Sequence, residues 1–116
     1  MTEQPLDWER ELAAEEDLTS AAVDRILDQH GDRGAKAIDA VDEGRVKEYR
    51  DFLVVVGHGD EYVVEGKACT CLDVRYNLDA EDPAELCWHA IAARIATAIG
   101  ATDRYDLWYS DVREFI

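Results

Sequence analysis

The stretch that decides the fold is FLVVVGHGDEYVVEGKACTC, which spans residues 52–71. Its first five residues form an apolar, β-branched run, which favours a β-strand. Residues 57–60, GHGD, have a composition typical of turns, and a second apolar run follows at residues 62–64. Two apolar runs joined by four residues with two glycines predict a β-hairpin, so residues 46–64 should hold two strands. The second strand leads directly into Cys69-Thr70-Cys71.

Three helices are predicted before the hairpin, over residues 5–17, 19–30 and 33–43. Thr19 or Ser20 can cap the second helix, while Gly31 and Gly44 stop the second and third. Each helix has apolar residues at helical spacing. These positions are Leu6, Trp8 and Leu12; Ala22, Val23, Ile26 and Leu27; and Ala37, Ile38 and Val41.

Residues 72–82 are predicted to be irregular, and a helix that ends at Gly100 is predicted to follow. Ile91, Ile95 and Ile99 recur every four residues and define one apolar face, which Trp88 and Ala92 extend. The fold class is therefore α+β, with a β-hairpin followed by a helix and preceded by N-terminal helices.

Two paired spacings indicate a metal site. In an extended segment, residues i and i+2 point to the same side, so Cys69 and Cys71 can offer both sulfurs to one ion. After fifteen intervening residues, Cys87 and His89 would complete a Cys3His set, which is a common composition of structural zinc sites. Four protein ligands leave no position for a catalytic water. The open alternatives are that these residues are ordinary core, or that Cys69 and Cys71 form a labile redox pair.

The start of the last helix decides whether this site can form. Asp82-Pro83-Ala84-Glu85 resembles a helix cap, but a helix running from Pro83 would place Cys87 and His89 about 200° apart around its axis. They could not then share a metal ion. We therefore expect residues 83–86 to form a separate turn, with the helix starting at Cys87 or Trp88.

Composition limits the setting of the protein. The 116 residues include 27 acidic and 12 basic ones, which gives a formal net charge of −15. This balance indicates either a protein that avoids nucleic acid and binds basic partners, or adaptation to high intracellular salt. Because the acidic residues are spread along the chain and only three basic ones are lysines, we favour a halophilic source. Without a secretory signal or a membrane-spanning stretch, we expect a soluble, cytoplasmic protein.

The order Cys-x-Cys, spacer, Cys-x-His resembles the SWIM zinc-finger family, which carries this motif on a β-β-α scaffold. The resemblance covers residues 44–100 and implies a zinc ion held by Cys69, Cys71, Cys87 and His89. One subgroup comprises the SWIM subunit of the Shu recombination complex and its archaeal relatives. It adds an alanine three residues after the histidine, where this chain has Ala92.

Members of this subgroup pair with a RecA-family recombinase paralogue and support homologous recombination and DNA repair. The resemblance thus implies a protein-interaction adaptor, and the sequence shows no nucleophile–base pair, phosphate loop or dinucleotide fingerprint that would predict an enzyme. The alternative is a finger that binds nucleic acid directly. Such a finger would use the cations near the hairpin, which are Arg45, Lys47, Arg50, Lys67 and Arg75.

Three parts of the chain are expected: a helical segment at 1–43, a SWIM-type finger at 44–102 and an aromatic tail at 103–116. The tail could be a strand, a short helix or a docking segment. Its rings Trp108, Tyr109 and Phe115 either form an apolar partner surface or are buried by a third strand added to the hairpin.

Overall fold

The computed structural model describes residues 7–57, 59–65, 68–71 and 86–113. It confirms an α+β fold in which helices accompany a small mixed sheet. None of the helices in these ranges is long and apolar enough to cross a membrane. The elements in chain order are α1 (Asp7–Glu15), α2 (Ser20–His30), α3 (Asp32–Asp42), β1 (Val46–Glu48), β2 (Leu53–Val56), β3 (Glu61–Glu65), β4 (Ala68–Cys69), α4 (Trp88–Ile99), β5 (Asp103–Arg104) and α5 (Tyr109–Arg113).

The N-terminal helices begin and end where local chemistry predicts. Thr19 is the N-cap of α2, and its side-chain oxygen accepts a hydrogen bond from the backbone N–H of Ala22 at 3.2 Å. Gly31 ends the helix at φ 58°, a backbone angle that favours glycine. Gly44, at φ 70°, follows α3 and turns the chain into the sheet. These three signals therefore place α2 and α3 correctly from sequence.

The sheet is larger than predicted. Its strand order is β4-β3-β2-β1-β5, and β2 and β3 form the predicted antiparallel hairpin, with Val54 opposite Val63. The prediction of two strands within residues 46–64 is wrong, because β1 is a third strand that pairs antiparallel with β2. A strand of three residues with one buried side chain has too little alternation to be seen locally, and its pairing with β2 creates it.

Both edges of the sheet also come from short pairings. β4 turns back on β3, so that Cys69 lies opposite Val64. At the other edge, the tail adds β5, which runs parallel to β1 rather than joining the hairpin. The tail is thus part strand and part helix: it buries Tyr109, at 8% exposure, and leaves Trp108 exposed. Phe115 lies outside the described residues.

Helix α4 is the centre of the core. It packs against α1 and α3 as well as against β1–β4. The sequence predicts one apolar face, but the structure buries α4 on several sides. Alanines make this possible, since their small side chains let neighbouring elements approach the helix closely. The buried positions of the helix are His89, Ala90, Ile91, Ala92, Ala93, Ile95 and Ala96.

Gly34 allows α2 and α3 to approach closely. A Cβ atom at this position would lie 2.9 Å from both the Cγ2 and the backbone oxygen of Ile26. The backbone oxygen cannot move aside, so Gly34→Ala should lower the free energy of unfolding by about 1–2 kcal/mol despite the better helix propensity of alanine. Urea unfolding would measure this.

The exposed Ala35 in the same helix supplies the matched control. There, Ala35→Gly should be destabilising by about 1 kcal/mol, which is the ordinary order of the two residues in a helix. A Gly34→Ala variant more stable than the wild type would show that α2 and α3 are not in tight contact.

Candidate metal centre

The first pair of candidate ligands is placed by the short strand β4. Cys69 ends β4, and Cys71 follows two residues later. Between them, the side chain of Thr70 accepts a hydrogen bond from the backbone N–H of Val63 at 3.2 Å, and its own N–H donates to the oxygen of Val63. These bonds hold the Cys-x-Cys segment against β3.

The second pair is placed by the start of α4. Cys87 is the N-cap residue in extended conformation, and its Sγ accepts a hydrogen bond from the backbone N–H of Ala90 at 3.3 Å. The helix therefore begins at Trp88, as the sequence argument requires, and His89 lies in its first turn. Leu86, just before this start, is buried at 1% exposure, while residues 83–85 lie outside the described part of the chain.

The structure brings all four predicted ligands together. One ligand atom from each of Cys69, Cys71, Cys87 and His89 lies within 4.8 Å of the others. In a tetrahedral zinc site with Zn–S bonds of about 2.3 Å, the sulfurs are about 3.8 Å apart, so only a small contraction is needed. None of the three cysteines is in a disulfide. These residues could hold a metal ion, and their composition fits zinc.

Burial of His89 supports the same interpretation. The residue is 4% exposed, and neither ring nitrogen has an oxygen or nitrogen hydrogen-bond partner among the residues that the structure describes. An unpaired buried polar group costs about 1–3 kcal/mol. Coordination of a metal by one ring nitrogen would offset part of that cost, so the donor set and its surroundings fit a metal ligand.

The surroundings of Cys87 affect the ionisation of its thiol. A hydrogen bond to Cys69, together with burial, raises the pKa of the Cys87 thiol to about 12, although His89 and the N–H of Ala90 act in the opposite direction. In the absence of a cation, the neighbouring Cys69 and burial thus oppose ionisation of the Cys87 thiol. A divalent cation bound here would reverse this balance, because it would be the largest local charge and would deprotonate its thiol ligands.

Comparison with known proteins relates the chain to a protein of Archaeoglobus fulgidus. An uncharacterized protein of Archaeoglobus fulgidus is 39% identical over 112 residues, which is 97% of this chain and 96% of that protein. The two chains belong to one family. No family model matches the chain, and no solved structure gives a significant match. Because the similarity covers almost the whole chain, it extends over the segment of the N-terminal helices as well as over the segment that carries the candidate ligands.

Two aromatic rings enclose the imidazole of His89. The ring centroid of Tyr62 lies 4.0 Å from that of His89, and the centroid of Trp88 lies 3.8 Å away, with interplanar angles of 33° and 35°. Sequence reasoning treated Tyr62 only as a strand residue and Trp88 only as part of a helix face. The spacing along β3 is the signal that could have identified Tyr62. Tyr62 lies two residues before Val64, so both side chains are on the same face of β3. Val64 pairs with Cys69, and this face therefore carries the cluster.

Arg45 continues this stack on the outer side of Trp88. Its guanidinium carbon lies 5.8 Å from the ring centroid, Nε pairs with Glu43 at 2.9 Å, and Nη1 donates to the oxygen of Val56 at 3.2 Å. With its side chain only 18% exposed, Arg45 is held by these contacts beside Trp88. It is not an open cation for a phosphate group, which corrects the role that its sequence position suggested.

We expect Tyr62→Leu to weaken zinc binding about tenfold while the protein stays folded, because the leucine cannot hold the imidazole plane in place. A competition titration with a chromophoric chelator would measure the affinity. Tyr49→Leu is the matched control, since Tyr49 stacks on Tyr105 at 5.3 Å, away from His89. Equal affinities for the wild type and Tyr62→Leu would mean that the ring does not position the ligand.

Proposed function

We propose that this protein is a zinc-stabilised adaptor of the SWIM type, and that its partner is a RecA-family recombinase paralogue acting in homologous recombination and DNA repair. The observation that carries the proposal is the clustering of Cys69, Cys71, Cys87 and His89 at the junction of the sheet with α4. The partner class rests on the resemblance of the motif.

A structural role for the metal is supported by the number and burial of the ligands. Four protein ligands complete a tetrahedral shell, which leaves no position for a substrate or a reactive water. Cys71, Cys87 and His89 are all buried, and only Cys69 is partly open to solvent. A metal held in this way stabilises the protein and does not catalyse a reaction.

The arrangement of elements supports the SWIM assignment. The β2–β3 hairpin precedes the Cys-x-Cys pair, and α4 carries the Cys-x-His pair at its start. This order of hairpin, ligand pair, ligand pair and helix is the order expected for a β-β-α finger. The additional strands β1 and β5 and the helices α1–α3 surround that unit.

The ligand set gives the proposal its first test. Protein purified without added metal and then analysed by mass spectrometry should contain close to one equivalent of zinc per chain. Iron or cobalt in place of zinc would still support a metal centre but would contradict a zinc protein. Folded, reduced protein without any metal would contradict the proposed centre itself.

The partner is tested separately. Co-expression with each RecA-family paralogue of the source organism should give one complex that survives gel filtration at the host's salt concentration. Failure of every paralogue to bind the zinc-loaded protein would reject the recombinase partner while leaving the zinc centre untouched.

Direct nucleic-acid binding draws less support from the same region. The guanidinium of Arg50 pairs with Asp106 at 2.6 Å, and Arg45 pairs with Glu43. Lys47 lies 5.7 Å from the ring centroid of Tyr105. Lys67 and Arg75 lie outside the described residues. With a formal net charge of −15, the chain as a whole repels phosphates.

A further inference from the structure

The loop between β5 and α5 presents two large apolar side chains to solvent. Leu107 is 53% exposed and Trp108 is 49% exposed, while the next ring, that of Tyr109, is 8% exposed. Among the described residues, the only other large apolar side chain with comparable exposure is Leu27, at 39% on α2. Adjacent exposed leucine and tryptophan residues are unusual unless something covers them.

The backbone before this pair is held by the turn after β1. The N–H of Arg50 donates to the oxygen of Leu107 at 3.0 Å, and its guanidinium pairs with Asp106 at 2.6 Å. Arg50 therefore holds both Asp106 and Leu107 in position.

The backbone after the pair is held by Asp51. Its carboxylate accepts hydrogen bonds from the N–H groups of Tyr109 at 2.7 Å and Ser110 at 3.2 Å, and from the hydroxyl of Ser110 at 3.0 Å. The Leu107–Trp108 pair thus stands on a loop anchored on both sides. Such an anchored pair loses little conformational freedom on binding, which favours its use as an interface anchor.

The charges around the pair are mainly acidic. Asp103, Asp106 and Asp111 are exposed, and the side chain of Asp106 is 86% exposed. Two exposed cations also lie nearby, but each pairs with a carboxylate: Arg104 with Glu48 at 3.0 Å, and Arg50 with Asp106 at 2.6 Å. Acidic groups therefore still outnumber basic ones around the pair. An apolar tip with an acidic rim is complementary to an apolar pocket with a basic rim.

We propose that Leu107 and Trp108 dock into an apolar pocket rimmed by lysine and arginine residues on a partner protein. This deepens the proposed adaptor function by naming the surface and the chemistry of its partner. Trp108 supplies the buried contact area, and the aspartates steer the basic rim and set the orientation.

Peptide display against the full-length, zinc-loaded protein tests this chemistry without any assumption about the recombinase. Selected peptides should combine an apolar cluster with at least two lysine or arginine residues. Trp108→Ala should weaken their binding at least about tenfold, and Leu107→Ser should weaken it in the same direction. Leu27→Ser is the matched control and should leave binding unchanged.

Salt supplies a second readout. Raising the salt concentration from about 0.15 M to about 1 M shortens the Debye length from about 8 Å to about 3 Å, so affinity should fall. Zinc content and thermal stability of the variants should match the wild type, since both side chains are about half exposed.

Three results would overturn the inference. The first is that the display selects no peptides, or selects acidic peptides. The second is equal peptide affinity for the wild type and Trp108→Ala, and the third is a wild-type dimer that Trp108→Ala converts to a monomer. The last result would identify a second copy of the chain as the occupant. A recombinase complex unaffected by Trp108→Ala would leave the adaptor function standing and reject only this surface. Conversely, peptide binding that depends on Trp108 without a recombinase complex would reject the partner class and support the surface.

Discussion

Cys71→Ser should release the zinc and strongly destabilise the protein. Zinc-finger peptides gain about 10–16 kcal/mol from metal binding, but here α4 is also held by its packing against α1 and α3. We therefore expect a smaller loss, of about 3–6 kcal/mol, and a fall in Tm of more than about 10 °C. Elemental analysis and calorimetry would measure both effects.

Hydrogen exchange would show which elements lose stability in Cys71→Ser. Protection should decrease most in β3, β4 and the first turn of α4, which surround the ligands, and less in α2 and α3. Thr70→Ala is the matched control: it removes only the hydrogen bond to the N–H of Val63 and should keep the zinc. If Cys71→Ser retained full protection around the cluster, the three cysteines would be ordinary core residues.

Trp8→Ala should be nearly as damaging, although Trp8 lies far from the metal ligands in sequence. The indole is completely buried, and its Nε1–H donates to Nε2 of His30 at 3.1 Å. Removing a buried tryptophan costs about 3–5 kcal/mol, a large part of the roughly 5–15 kcal/mol by which a domain is stable. Chemical denaturation would measure this loss.

The chain offers an internal control in its third tryptophan. Trp108→Ala should change the free energy of unfolding by less than about 1 kcal/mol, because half of that side chain is already in water. An equally small effect of Trp8→Ala would mean that α1 contributes little to the stability of the folded protein. A large effect would mean that residues 1–43 and the finger share one core.

Contacts between α1 and α4 favour the shared core. Arg94 of α4 pairs with Glu9 of α1 at 2.8 Å, and both side chains are less than one-fifth exposed. Trp8, Leu12, Ile91 and Ile95 belong to the same cluster of buried residues. The helix that begins at the metal centre is thus also the helix on which the N-terminal segment folds. Loss of the metal should therefore also weaken the packing between α4 and α1.

His30 shows how tertiary packing can reverse a local expectation. As the last residue of α2, it would favour a positive charge, because a helix C-terminus attracts cations. In the structure, burial and then the charges of Arg33 and Arg94 lower the pKa of His30. The neutral ring can then accept the hydrogen bond from Trp8, which a protonated ring cannot.

The sequence by itself determined the features that depend on a few neighbouring residues. Thr19 and Gly31 bound α2 because a cap and a left-handed turn need those residue types. The β2–β3 hairpin follows from two apolar runs around a glycine-rich turn. The i, i+2 spacings of the ligand pairs, with the helix starting after Cys87, were enough to predict which four residues come together.

Only the tertiary structure decided the rest, because it depends on contacts between distant residues. β1 and β5 are too short to be stable alone and form only when β1 pairs with β2 and β5 pairs with β1. The order of the five strands therefore cannot be predicted from any local sequence pattern. The enclosure of His89 by Tyr62 requires β3 to meet α4. Likewise, the division of the tail into a buried Tyr109 and an exposed Trp108 is made by Asp51, 58 residues earlier, whose carboxylate fixes where α5 begins.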